Sequence, residues 1–127
     1  QVVFSAWDYG QRKYKLTLNS GYLRFYSSTN GVASNYVNSS GALSADQWYH
    51  VIISYDGADR AIYLNNADVT TGTPATSIWT STSSFQIGGN GQFGGTLSET
   101  AFWKRSLTAT ERSRIYNSGA GVSYPGF

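Results

Sequence analysis

The sequence predicts an all-β fold, a two-layer antiparallel sandwich with one short C-terminal helix. Three features point there. Polar and apolar residues alternate with period two in several segments. Turn-forming residues recur roughly every 8–12 residues, the spacing of short strands in a sandwich. Only one segment carries helix-start chemistry. A length of 127 residues suits a single domain, 1–127, with a core of two layers.

Val3-Phe4-Ser5-Ala6-Trp7 reads as a first strand. Lys13 to Leu18 alternates as a half-buried strand does, Asn19-Ser20-Gly21 is a hairpin signal, and Tyr22 to Tyr26 returns. Asn30-Gly31 marks a turn before a strand within Val32 to Val37, which Ser39-Ser40-Gly41 ends. Gln47 to Tyr55 is the strongest strand signal, with Val51, Ile53 and Tyr55 on one face and His50, Ile52 and Ser54 on the other. Asp56-Gly57 turns the chain, Arg60 to Leu64 returns, and Asn65-Asn66 makes a tight turn toward Val69. Thr70 to Ser84 is a polar loop holding Pro74 and Trp79. Phe85-Gln86-Ile87 and the region Phe93 to Trp103 read as further strands, the second broken by Gly94-Gly95. Thr108-Ala109-Thr110-Glu111 is a capping box, so the helix starts there and stops at Asn117-Ser118-Gly119.

Composition excludes several functions. Cysteine is absent, which removes disulfides, thiolate metal sites and thiol catalysis. No apolar stretch is long enough for a membrane-spanning helix, so membrane insertion is not expected. No basic segment followed by an apolar run opens the chain, as a signal peptide would. Gln1-Val2-Val3-Phe4 instead reads as mid-strand, so the expectation is a domain cut from a longer polypeptide, or one whose N-terminal strand a neighbour supplies. Charged residues are 13%, and the surface is wetted by hydroxyls and amides. That balance suggests an extracellular, cell-surface or virion-surface location. A net charge of +2 is mild, and nucleic-acid binding, which calls for a dense basic stripe interleaved with exposed aromatics, is not expected.

Five segments, in order, resemble the laminin-G-like, concanavalin A-like lectin-glucanase jelly-roll family. They are Trp48 to Gly57, Ala61 to Asn66, Phe85 to Gly88, Phe93 to Glu99, and Leu107 to Glu111 with Ile115-Tyr116. Residues 1–45 match only loosely. The resemblance implies a jelly roll of two antiparallel sheets, one curved, packed face to face. It also implies that calcium is the cation to consider, held at a loop edge by carboxylates and carbonyls. The chain departs from the family at Ser98, where an aspartate is usual, and in its opening strand.

The candidate residues follow from chemistry. Sugar rings stack on aromatic faces while their hydroxyls pair with amides. Trp79, Tyr36 and Tyr9, with Asn38, Asn90 and Gln92, are the candidate ligand-binding residues, all placed at loops or loop ends. The competing assignment for each is packing, and Trp7, Trp48 and Trp103 are assigned to packing. Asp56, Asp59 and Asp8 are the candidate calcium ligands, against ordinary roles in a turn and a solvated loop. Asn38-Ser39-Ser40 fits the N-glycosylation pattern, which matters only in a eukaryotic secretory route. His50, the single histidine, lacks a partner for catalysis and is assigned a structural role. Glycoside hydrolysis needs two carboxylates facing one bond. Of the seven acids no two occupy alternate positions of a strand. No catalytic residues are therefore assigned. The functional expectation is a non-catalytic recognition or adhesion domain with a glycan as partner. Its alternatives are a structural domain contacting neighbouring protein subunits in a homo-oligomer or a larger phage or viral assembly, and a polysaccharide hydrolase.

Overall fold

A computed structural model describes residues 1–73, 77–89 and 93–123. In chain order the strands are β1 (Val2–Asp8), β2 (Gln11–Asn19), β3 (Tyr22–Ser27), β4 (Asn35–Ser39), β5 (Val51–Tyr55), β6 (Arg60–Leu64), β7 (Ala67–Asp68), β8 (Thr70–Thr71) and β9 (Gln86–Ile87). One helix, α1 (Ala109–Tyr116), follows, with a 3-10 turn over Asn117–Gly119. The strands form two antiparallel sheets, one ordered β8-β4-β3-β2-β1-β9 and one ordered β5-β6-β7.

Side-chain alternation explains how the sheets face each other. Leu16, Leu23, Phe25 and Val37 of the large sheet meet Ile62 of the small one in the buried core. Val51 and Ile53 pack against that cluster. On the reverse of the small sheet, Ser54 Oγ bonds Ser106 Oγ at 3.0 Å, His50 lies 5.6 Å from the Tyr116 ring, and Arg112 sits 3.9 Å over Tyr63. The two faces read in Val51–Tyr55 thus meet the core and the helical segment. Val69 is the corner: its N–H donates to Ile62 of the small sheet, and its carbonyl accepts from Ser40 beside the large one.

Turn chemistry sets the hairpins. Ser20 and Gly21 both have positive φ, 50° and 84°, and join β2 to β3 in the tight two-residue form that matches strand twist. Asn65 and Asn66, at 50° and 67°, do the same between β6 and β7.

Three segments differ from expectation. The strand expected within Val32 to Val37 lies at Asn35–Ser39, because Asn30 Oδ1 accepts from the amides of Val32 and Ala33 and holds that stretch as a turn. The strand expected from Gln47 begins only at Val51, because its partner β6 ends at Leu64 opposite Val51, and the His50 amide donates instead to Asn65 Oδ1 of the following turn. Phe93 to Trp103 forms no strand. Glu99 there is left-handed at φ 49°, which an extended run cannot contain.

Candidate functional site

The solvent face of the large sheet carries the candidate site. Since Leu16, Leu23, Phe25 and Val37 point inward, their strand neighbours must point out. The register aligns those outward residues in rows across the strands. Ser5, Lys15, Tyr26 and Tyr36 form one row. Thr17, Arg24, Asn38 and Thr71 form the next. Trp7 pairs with Arg12 across a register shift. That bulge adds a residue to β2 between Arg12 and Tyr14, and so brings Arg12 to the same face as Lys15.

Aromatic rings and cations interleave here. The Trp7 and Tyr26 rings lie 6.0 Å apart, and Tyr26 and Tyr36 lie 5.1 Å apart. Lys15 Nζ stands 4.7 Å from the Trp7 ring and 4.6 Å from the Tyr26 ring. Arg24 covers Tyr36 at 4.5 Å, and Arg12 reaches Trp7 at 5.8 Å and Tyr9 at 5.6 Å. Arg24 Nε donates to Asn38 Oδ1 at 2.8 Å and Nη1 to the Tyr26 hydroxyl at 3.4 Å. Arg12 is tied to the Val32 carbonyl. Strands β2, β3 and β4 contain no acidic residue, so the cations share their charge with rings and amides rather than with carboxylates. Burial and the charge of Arg12 lower the Lys15 pKa, while the Tyr26 hydrogen bond holds Arg24 firmly charged.

Of the residues expected to bind ligand, Tyr36, Asn38 and Tyr9 come together on this surface, with Tyr9 84% exposed at the β1–β2 turn. Trp79 does not join the rows. Its indole packs on Gly31, where an added Cβ would lie 2.9 Å from Nε1 and 2.7 Å from the Gly10 carbonyl, and its amide donates to Ser28. Asn90 and Gln92 lie outside the described residues. Sequence reasoning did not place Lys15, Tyr26 and Arg24 on this face; Trp7, assigned to packing, lies half-buried against the Tyr26 ring. The signal was present in Tyr22-Leu23-Arg24-Phe25-Tyr26, where the apolar alternate set claims the core and leaves Tyr, Arg and Tyr outside.

Of the three aspartates considered for calcium, Asp56 and Asp59 share the β5–β6 turn, and Asp8 lies at the end of β1 in the other sheet. Asp56 Oδ1 accepts from the amides of Ala58 and Asp59 within the β5–β6 turn, which lowers its pKa. Asp8 accepts from Ser83 Oγ at 2.7 Å, on the other sheet. Among the described residues no group of three or more acids or histidines could hold a metal. Between the sheets lies an open apolar cleft of about 1750 Å³, bordered by Asp46 and Glu99 among many apolar side chains. No described helix is long and apolar enough to cross a membrane.

No curated protein sequence matches the chain. Among solved structures, a domain of an S-layer domain-containing protein from Clostridium thermocellum is similar at 22% identity and a TM-score of 0.42. The match covers 91% of this chain but 62% of that one, so the chain spans less than two thirds of its length. A laminin-G-type sequence model matches residues 1–111. With most of the sequence matched and two antiparallel sheets facing across one core, the chain belongs to the concanavalin A-like lectin/glucanases superfamily.

Proposed function

We propose that this domain is a non-catalytic recognition module that binds a glycan on the outer face of its six-stranded sheet. The observation that supports this is the interleaving of Trp7, Tyr26 and Tyr36 with Lys15 and Arg24 on that face. Rings supply C–H contact area, the amide of Asn38 and the tyrosine hydroxyls supply orientation, and the rigid ladder holds them in place. Laminin-G-like domains are typically binding rather than catalytic. The low charge content supports an extracellular or cell-surface setting.

Such a surface is shallow, so one copy binds weakly and multivalent display raises the apparent affinity. A tetramerised domain on a glycan array is expected to retain defined glycans. Tyr36→Ala is expected to reduce retention about tenfold while leaving thermal unfolding unchanged, because Tyr36 is 43% exposed and supplies contact area rather than core. A folded tetramer that retains no glycan, or one indifferent to Tyr36→Ala, would refute the reading. Polysaccharide turnover lost in Glu99→Gln would establish an enzyme instead.

A second reading, contact with neighbouring protein subunits, is favoured by a separate observation. Trp48 and Phe102 are 70% and 69% exposed, and Phe85, Ile87 and Leu97 are exposed as well. All five border the inter-sheet cleft, and exposed apolar groups that border one opening suit protein contact.

A further inference from the structure

We infer that the hollow lined by Arg24, Asn38, Ser40 and Thr71, beside the aromatic row, receives a negatively charged group of the bound polymer, a carboxylate or a sulfate ester. This rests on the glycan reading above and adds the charge class of the ligand. The hollow has a volume of about 340 Å³ and is completed by Tyr22 and Ser39. None of its lining residues is acidic.

The donor balance points to an anion. Asn38 Oδ1 already accepts from Arg24 Nε at 2.8 Å. Its carbonyl accepts from Thr71 Oγ1 at 3.1 Å, and the Ser39 hydroxyl donates to the Gly41 carbonyl at 2.7 Å. The Asn38 and Ser39 side-chain acceptors and the Asn38 carbonyl are therefore engaged internally. Arg24 Nη2 and the Asn38 amide nitrogen make no hydrogen bond among the described residues. One full positive charge and unfilled N–H donors thus remain at one end of an aromatic row that holds Lys15 as a second cation. A planar guanidinium edge with a neighbouring amide matches the oxygens of a carboxylate or a sulfate.

Acidic polysaccharide is favoured over single-stranded nucleic acid by ring geometry. Nucleobases stack on open, parallel ring faces. Here the rings are tilted against one another, at 65° between Trp7 and Tyr26 and 53° between Tyr26 and Tyr36, so successive flat bases cannot stack along the row, whereas a saccharide needs only single exposed rings such as Tyr36.

The test uses the tetramerised domain against four immobilised probes: dextran sulfate, neutral dextran, polygalacturonate, and a single-stranded thymidine oligomer. Retention by dextran sulfate identifies the sulfate source and retention by polygalacturonate the carboxylate source; either supports the proposal if neutral dextran binds at least about tenfold more weakly. Arg24→Gln is expected to cost about tenfold on the acidic probe. Arg114→Gln, an exposed cation on the helix, is expected to leave retention unchanged. Raising NaCl from about 0.05 to about 0.5 M is expected to weaken the wild type and to matter less in Arg24→Gln. Equal binding of neutral and sulfated dextran, or an Arg24→Gln domain that binds like wild type, overturns the anionic assignment while leaving glycan recognition standing. Tighter binding of the thymidine oligomer than of either acidic polymer overturns it in favour of nucleic acid. No retention of either acidic polymer by a domain with unchanged thermal unfolding overturns the anionic assignment, and no retention on the glycan array as well removes the glycan reading with it.

Discussion

His50 shows what burial does to one side chain here. Its ring lies 5.6 Å from that of Tyr116, and its Nδ1 is buried without a hydrogen-bond partner among the described residues. Burial disfavours the imidazolium and lowers the pKa below the usual 6.5. Between the unfolded value and the lowered folded one, the unfolded chain binds more protons, so stability rises with pH across that window. Thermal stability is therefore expected to fall as the pH is lowered from about 7 through 6.5, and His50→Phe is expected to flatten that slope. A slope that persists in the variant would place the acid sensitivity elsewhere. Legibility at this scale was uneven. Tyr9, Tyr36 and Asn38 could be picked from their polar neighbours, whereas Lys15 and Arg12 could not. Their placement on one face depends on a bulge in β2 that shifts the register, and alternation alone is blind to a bulge.

Helix α1 was legible almost to the residue, because its start is written in local hydrogen bonds rather than in distant packing. Thr108 Oγ1 accepts from the Glu111 amide at 3.2 Å, and Glu111 Oε2 accepts from the Thr108 amide at 2.8 Å. Arg105 adds a forked pair to the same carboxylate, at 2.9 and 2.6 Å. The Arg105 hydrogen bond, and then that from the Thr108 amide, lower the Glu111 pKa to about 2. A carboxylate with a depressed folded pKa stabilises above its unfolded value of 4.5, and that contribution is lost as the pH falls through about 2. Protection of the first-turn amides of α1 against exchange, relative to their intrinsic rate at each pH, is expected to fall across that acid window, well below the one set by His50. Thr108→Ala is expected to raise exchange there at every pH, at a cost of about 1 kcal/mol. An unchanged exchange rate in the variant would mean that packing alone holds the helix. The stretch around Phe93 to Trp103 is the opposite case. Its alternation suggests a strand, but a strand also needs φ below zero throughout, and Glu99 does not comply.

At the scale of the whole molecule, the two-sheet architecture was legible because alternation implies faces, and apolar faces must meet. The connection between the sheets was not, since it passes through a residue type expected at the surface. Arg60 of β6 is only 2% exposed. Its Nη1 donates to Ser27 Oγ and to the Asn35 carbonyl, both at 3.1 Å, and Nη2 donates to the Thr73 carbonyl at 2.8 Å. A side chain from the small sheet thus fastens β3, β4 and the strand-to-loop exit after β8. Burial lowers its pKa, because removing the guanidinium from water disfavours its charge. Two opposing terms decide what removal does. Replacing a buried charge with an apolar chain of similar length relieves desolvation, yet here it also leaves three acceptors without a donor. Ser27 is fully buried, so its hydroxyl cannot turn to water, and Asn35 is held by the ladder; the loss of these bonds should dominate. Arg60→Met is expected to lower unfolding stability by about 2–4 kcal/mol, read as a shift of the denaturant midpoint at unchanged slope. Arg60→Lys retains the charge but cannot present two separated N–H groups, so it is expected to rescue only a minor part. An Arg60→Met domain as stable as the wild type would mean that desolvation, not the three bonds, governs this position, and that the sheets are held by the apolar core alone.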